Sequence, residues 1–353
     1  MSFAPVVLGL DYGGTKIAAA VCDLAGRRLA SVVVPSRGED GANAAFAHGI
    51  ETARDLLETT APGAELIAVG VATFGIPLED RVELAPSIAG WDTLPFGRRL
   101  RAAFPGVPIR LATDAKAAAT AEVRWGALAG CDTAVYLNLG TGLAAAVVVD
   151  GQVLAGSHGA AGEIGYNLRT ADDVRSPLGD RVPLEDMVSG LALTRRAGTS
   201  RSGTGWLSAA EVFGASEYDA TLDALIGDFV NELAFHLTNL AILVDPVRIA
   251  VGGGIARAWN RIGPGLEAAL QAGVPFPPEL VLAHFPDEAP LLGAVALAAD
   301  AVAGTAQSQP AEEPDVPRHL GGGPPDPTQH LDARLGPVTS TASAPVTGTG
   351  KSA

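Results

Sequence analysis

The sequence predicts an α/β protein of two lobes, each built around one copy of the same strand–turn–strand unit. Three observations carry this reading. At 353 residues and 48% hydrophobic content, the chain can bury a large core, and its length suits two domains better than one. Short, wholly apolar runs such as L-I-A-V-G-V-A at 66–72 alternate with stretches of helical period, as expected of strands covered on both faces. The segment V-V-L-G-L-D-Y-G-G-T-K-I-A-A-A-V-C-D at 6–23 recurs in plan as A-V-Y-L-N-L-G-T-G-L-A-A-A-V-V-V-D-G at 134–151.

In order, the first unit reads strand, Gly-rich turn, strand, and closes at a turn at Ala25-Gly26. A helix follows over 43–60, then the apolar strand at 66–72 and a loop over 73–91. A helix at 96–104 and a strand at 107–112 lead into T-D-A-K-A-A-A-T-A-E-V, where Thr113 and Asp114 form an N-cap pair before an Ala-rich helix. After the second unit, residues 157–189 are irregular and polar. Helices are expected over 191–196, 208–213 and 218–244, a strand over 247–251 running into Gly252-Gly253-Gly254, and a last Ala/Leu helix over 291–303. From 304 to 353 Pro, Gly, Ser, Thr, Gln and Asp dominate, too little apolar surface to offset the entropy of ordering, so this stretch is expected to be a disordered tail.

Composition excludes several classes of function. The net charge of -15, from 24 Lys plus Arg against 39 Asp plus Glu, argues against nucleic acid and anionic membrane surfaces as partners. Cys22 and Cys131 are far apart and lack C-x-x-C spacing, which points to a reducing cytoplasm rather than a disulfide framework. No cationic n-region precedes the first apolar stretch, which runs into Asp11 and reads as a strand rather than a signal peptide. The longest apolar region, 134–149, is interrupted by Asn138, Thr141 and glycines, so no membrane span is expected.

The residue types that carry chemistry sit at the turns. In Asp11-Tyr12-Gly13-Gly14-Thr15-Lys16 the glycines let backbone N–H groups approach a phosphate, and Asp11 at the strand end can hold a metal ion through water. Taken alone this is equally an ordinary Gly-Gly hairpin with a capping Asp. Gly140-Thr141-Gly142 supplies a second cradle, and two cradles in facing lobes can clamp both sides of a triphosphate. The run at Gly253 and Gly254 suits either stacking against a nucleotide or plain packing between strand and helix; it lacks the placement of a dinucleotide fingerprint. Asp114, at a helix N-terminus that favours the ionised form, is the candidate general base, with a helix cap as the alternative. Glu163, between glycines, and Glu185, in a second irregular stretch, are carboxylates suited to sugar hydroxyls.

With these residues in place, the sequence resembles the ROK family (repressor, open reading frame, kinase), and within it the bacterial glucokinase-like sugar kinases. The likeness covers most of 6–303. It rests on L-D-Y-G-G-T-K at 10–16, G-I-P at 75–77 with A-P-S-I-A-G-W at 85–91, and D-A-K-A-A-A-T-A-E at 114–122. L-G-T-G-L at 139–143, A-G-E-I-G-Y at 161–166, L-E at 184–185 and V-G-G-G-I at 251–255 complete it in the family's order. The resemblance implies a two-lobed actin-like ATPase (ribonuclease H-like) fold. In it residues 1–113 form a smaller lobe completed by a C-terminal helix at 290–303, and 114–289 form a larger one. It implies ATP and Mg²⁺ as cofactors, Asp114 as the base that takes the C6 hydroxyl proton, and Gly75, Glu163 and Glu185 in the sugar pocket. Asp11, Gly14, Thr15, Thr141 and Gly253 would then face Mg-ATP. Family members are often dimers, so a homodimer is an expectation of the same kind.

The chain also departs from the family pattern. Tyr166 stands where family kinases carry a zinc-binding His, and R-S-P-L-G-D-R-V-P-L at 175–184 replaces the cysteine cluster, so no zinc site is expected. Packing around Tyr166, Pro177 and Pro183 is expected to replace the metal. Ser87 and Thr113 occupy the positions of sugar-contacting asparagines, which leaves the sugar open between a hexose and an aminohexose such as kanosamine. A sugar-responsive regulator is the competing class, but the first cradle strand begins by Val6, without room before it for a DNA-binding domain. A non-catalytic sugar sensor is the other alternative.

Overall fold

The computed structural model describes residues 5–200 and 207–305 of the chain. In the first half the chain runs β1 (Pro5–Tyr12), β2 (Lys16–Cys22), β3 (Arg28–Pro35), α1 (Ala42–Thr60), β4 (Glu65–Thr73), the short pair β5 (Ile76–Pro77) and β6 (Val82–Glu83), α2 (Phe96–Ala103), β7 (Ile109–Thr113) and α3 (Asp114–Trp125). The second half runs β8 (Ala134–Leu139), β9 (Leu143–Val149), β10 (Gln152–Val153), α4 (Gly190–Ser200), α5 (Ala209–Ala215), α6 (Ala220–Val244), β11 (Arg248–Gly252), α7 (Trp259–Gly273), β12 (Glu279–Leu282) and α8 (Ala289–Thr305). The expected tail lies outside the described residues from 306 on, and its first two positions, Gly304 and Thr305, are the last turn of α8.

The repeat seen in the sequence extends to whole sheets. One has the order β3-β2-β1-β4-β7 and the other β10-β9-β8-β11-β12. In each, three antiparallel strands are followed by two parallel ones. This is a two-lobed α/β architecture with mixed sheets, of the kind found in the actin and ROK kinase superfamily. The central strands β1 and β2 are buried almost throughout, as their unbroken apolar runs require. The edge strand β3 alternates half-buried and exposed positions instead. Its faces do not divide into apolar and polar, since Leu29 and Val33 are exposed, so no alternation marked it in the sequence.

Two helices hold the sheets together. The Ala-rich face of α3 buries Ala115, Ala117, Ala118, Ala119 and Ala121, side chains small enough for another helix to lie against its backbone. That helix is α8, which packs on β1, β4 and α3. A Cβ on Gly293 would stand 1.7 Å from the carbonyl oxygen of Ala117, and one on Gly70 of β4 would stand 1.8 Å from that of Ala294. Neither position has room for any side chain. The second core is organised by α6, capped by Asp219, whose carboxylate accepts from the amides of Thr221 and Leu222. Its inner stripe is Leu222, Leu225, Phe229, Leu233 and Leu237, at helical spacing.

Besides β3, the sequence reading passed over α7 and β12. Gly263-Pro264-Gly265 reads locally as a breaker, yet Ile262, Leu266 and Leu270 recur at intervals of four and are buried, and that stripe overrides local propensity. Among the described residues no helix is long and apolar enough to cross a membrane.

Replacing Gly293 by Ala forces backbone against backbone, so the Gly293→Ala variant should lose about 1–3 kcal/mol of stability. Urea unfolding of the two proteins checks this; an unchanged midpoint would show that the two helices do not cross so closely.

Candidate active site: two hairpin turns and a carboxylate cluster

The first turn, between β1 and β2, is closed by the Gly13 amide donating to Lys16 O at 2.9 Å. Ser36, at the end of β3, braces it by donating its amide to Thr15 O at 3.0 Å and its hydroxyl to Gly14 O at 2.8 Å. The second turn, between β8 and β9, is closed by Gly140 donating to Gly142 O at 3.0 Å. The start of α4 docks on it, through amides of Gly190 to Gly140 O at 2.9 Å and Leu191 to Thr141 O at 3.3 Å. Just after the same turn Glu185 accepts from the Leu143 amide through Oε2 at 2.8 Å. A Cβ on Gly142 would meet that Oε2 at 2.4 Å, so the glycine admits the carboxylate.

Around this second turn four carboxylates converge from separate elements. Asp11 ends β1, Asp114 begins α3, and Glu163 and Glu185 come from the short 3₁₀ segments Ile164–Tyr166 and Leu184–Asp186 and the residue preceding the first. Their mutual influence shows in their ionisation. Burial, and then the Asp114 charge, push the Asp11 carboxyl up to about 7, against a smaller opposing pull from Lys16. Burial also raises Asp114, opposed by the Ala115 amide, which Oδ1 accepts at 2.7 Å, and reinforced by Glu185. Glu163 is raised by burial, Asp114 and Glu185, and held back by Lys116, whose Nζ lies 3.4 Å from Oε1. Burial and the charges of Glu185 and Glu163 raise the Tyr166 phenol, which therefore borders the same cluster.

Two details refine the sequence reading. Of the expected pair, Thr113 caps α3, with its hydroxyl oxygen accepting the Lys116 amide at 3.3 Å. Nor is the Asp114 carboxyl lowered by the helix terminus, because burial, the larger influence, raises it.

A cavity of about 870 Å³ opens beside the second turn, lined by Gly140 and Thr141, Phe213 of α5, Gly254 and Asn260, with Lys16 reaching in from the first hairpin. Arg257 and Asp287, an ion pair, stand at its wall. Its size suits a nucleotide-sized ligand. Of the residues expected on the nucleotide side, Lys16, Gly140, Thr141 and Gly254 line this cavity, whereas Asp11, Gly13, Gly14, Thr15, Gly142 and Gly253 are not among its lining residues. Gly253, at φ +88°, packs against the hairpin, where a Cβ would lie 2.4 Å from Leu139 O.

Residues 7–301 match the ROK family. The chain belongs to that family. It is 32% identical to the glucokinase of Streptomyces coelicolor over 273 residues, 71% of this chain and 82% of that protein. To the kanosamine kinase of Amycolatopsis mediterranei it is 31% identical over 311 residues, 85% of this chain and 98% of that one. Its structure is similar to that of the ROK hexokinase from Thermus thermophilus, with a TM-score of 0.71 and 33% identity over 85% of this chain and 99% of the other. It is thus a homologue of the ROK sugar kinases, and a divergent one, since its two cysteines, Cys22 and Cys131, lie in separate parts of the fold.

Within this ROK fold, the expected sugar-side residues fall into two groups. Asp114, Glu163, Tyr166 and Glu185 share the cluster. Ser87 is exposed and lies against Gly14 of the first turn, where a Cβ on the glycine would be 3.4 Å from Ser87 Cβ. Gly75, at φ +73°, packs on Ala85 and Glu83 and shapes the loop after β4. Lys116 was missed as a site residue. Its signal was present: a lysine in the third position of a helix, where the N-terminal partial charge disfavours a cation.

Because the folded-state value of Asp11 lies above its unfolded value of 3.8, its favourable contribution is present below about pH 4 and is lost as pH rises through about 7. Asp11→Asn removes that loss. The melting temperature of the variant minus that of the wild type should therefore grow between about pH 4 and pH 7 and level off above. Calorimetric scans across this range in metal-free buffer would show it; a flat difference would mean a solvated Asp11.

Proposed function

We propose that this chain transfers the γ-phosphoryl group of ATP to the C6 hydroxyl of a hexose or aminohexose. The observation that carries this reading is the second hairpin turn, which lines a nucleotide-sized cavity through Gly140 and Thr141 and holds Glu185 of the carboxylate cluster through the Leu143 amide. A donor in the cavity and an acceptor at the cluster would meet at one turn. The names of the relatives, glucokinase and kanosamine kinase, agree with that division.

Asp114 is the base in this reading. Its Oδ1 is engaged by the Ala115 amide, which leaves Oδ2 to take the proton of the attacking hydroxyl. Glu163 and Glu185 accept sugar hydroxyls, and Tyr166 closes the same side. Thr141, Gly140 and Lys16 hold the donor's phosphates from the two lobes, and Gly254 borders its nucleoside part. Asp11 suits a divalent cation held through water: a carboxyl pushed up to about 7 by burial and by Asp114 regains its charge when a cation arrives. Bound Mg²⁺ would supply charge neutralisation to the transferring phosphoryl group. The protein's remaining part is positioning.

The same reading assigns 1–113 with α8 to a smaller lobe and 114–289 to a larger one, and gives both sheets a ribonuclease H-like plan. The packing of α8 on β1 and β4 supports the first assignment, and the paired strand orders support the second. Hinge closure would exclude water from the cluster.

ADP release measured against a panel of hexoses and aminohexoses, with product analysis, tests the activity. Phosphorylation at C6 is expected, with preference displaced from glucose toward a sugar altered at C2 or C3. The reason is that Thr113 spends its hydroxyl on the backbone and Tyr166 stands beside two carboxylates. Best turnover on plain glucose would refute the displaced preference.

Asp114→Asn keeps size and shape while removing the charge that receives the proton. Its kcat should fall by about 10²–10⁴. ATP affinity should hardly change, because Asp114 does not line the nucleotide cavity. Turnover within a few-fold of wild type would remove Asp114 from the mechanism.

A further inference from the structure

Lys116 sits where a lysine is costly. Only 5% of it is exposed, and it occupies the third position of α3, beside the positive end of the helix. Lysine is rare in this chain, with Lys16 and Lys351 the others, so a buried one is not a by-product of composition. Among the described residues its ammonium has one hydrogen-bond partner, Glu163 Oε1 at 3.4 Å, and the Glu163 carboxylate has no other. Oε2 of Glu163 is left for a ligand, and the Glu163 side chain keeps 22% of its surface open.

We propose that Lys116 is a positioning residue for the sugar: its ion pair with Oε1 fixes the Glu163 carboxylate so that Oε2 receives a substrate hydroxyl. The proposal rests on the kinase reading in placing Glu163 in the sugar site. The pair ties α3, which carries Asp114, to the irregular segment that carries Glu163, so acceptor and base are set by one helix. It also offsets crowding, since Asp114 on α3, Glu185 on Leu184–Asp186 and the Tyr166 phenol all face Glu163, and Lys116 is the cation that opposes them. A carboxylate surrounded this way and left without its cation would turn toward water or take up a proton.

The test is a double-mutant cycle on the full chain with Lys116→Met, Glu163→Gln and the pair together. Calorimetric titration with glucose and with kanosamine gives sugar affinity without turnover. Lys116→Met should weaken the better ligand by about tenfold, the size of one lost charge-assisted contact, while the KM for ATP, whose cavity Lys116 does not line, stays within about threefold. Adding Lys116→Met to Glu163→Gln should cost little further, because the lysine acts through the glutamate. Full multiplication of the two effects, or unchanged sugar affinity in Lys116→Met, overturns the proposal.

A second arm reads the pair without sugar. The loss of melting temperature in Lys116→Met should grow as pH rises above the ordinary glutamate value of 4.5 and Glu163 ionises without a counter-charge, and should shrink in the Glu163→Gln background. A loss independent of pH would mean that the lysine stem merely packs. Should Lys116→Met fail to fold at neutral pH, folding of the double variant supports the proposal and its failure there overturns it. Wild-type protein that binds a sugar but phosphorylates none would sink the kinase reading alone, with the cycle still decided by affinity.

Discussion

The carboxylate of Glu122 fixes the frame on which the candidate site is built. It has no exposure to solvent and accepts three backbone amides, from Ala127 at 2.7 Å, His284 at 3.0 Å and Phe285 at 2.8 Å. Each hydrogen bond to a charged group contributes about 1.5–3 kcal/mol, and a buried carboxylate is tolerated only when so satisfied. One side chain thereby joins the end of α3 to the strand-to-helix connection between β12 and α8. The other end of α3 is fixed by the Thr113 cap and by the pairing of β7 with β4. Held at both ends, and pressed by α8 where Gly293 meets Ala117, the helix presents Asp114 and Lys116 with little freedom. Preorganisation of this kind is what phosphoryl transfer asks of a protein.

On that frame the second hairpin turn links the cavity to the carboxylate cluster. The chain is acidic overall. Glu185 is tied to the turn by the Leu143 amide, while Gly140 and Thr141 of the same turn line the cavity together with Lys16. The carboxylates also shift one another upward through Asp114, Glu185 and burial, so the cluster is primed to lose that strain to any cation or hydroxyl donor that enters.

Much of this was legible in the sequence because it depends on local patterns. Both hairpins, the capped start of α3, the long α6 and the closing α8 follow from apolar runs, Gly-rich turns and helical spacing, and the residue order L-D-Y-G-G-T-K to V-G-G-G-I carried the family. What escaped depends on tertiary contact. No local signal shows that β3 and β10 would pair as edges of matching sheets, nor that α7 would ignore Gly263-Pro264-Gly265. The site was read in the same uneven way. Asp114, Glu163 and Glu185 were found as carboxylates near turns, but Lys116 looked like one more polar residue of an Ala-rich helix. Ser87, chosen by its place in a motif, lies over the first turn, because the loop that carries it folds back on Gly14.

The segment that carries Glu163 and Glu185 shows how a family member keeps this loop in place without a cysteine cluster. Packing of Tyr166, Pro177 and Pro183 was the expected substitute; Pro177 is exposed, and polar bonds hold the loop. Asp173 accepts the amides of Arg169 and Thr170, both at 2.8 Å, and closes a capping box with Thr170. The Arg169 guanidinium then reaches Glu232 of α6 at 2.6 Å, and Asn167 meets His236 of the same helix at 3.4 Å. These bonds pin residues 167–173 to the long helix at the centre of the second core. A half-buried ion pair and one amide–imidazole contact are weaker than a tetrahedral metal site, so this loop has more room to settle around a different ligand. A segment held by hydrogen bonds to α6 and by Lys116 to α3 can change those contacts without disturbing the two hairpins, whose own bonds it does not share.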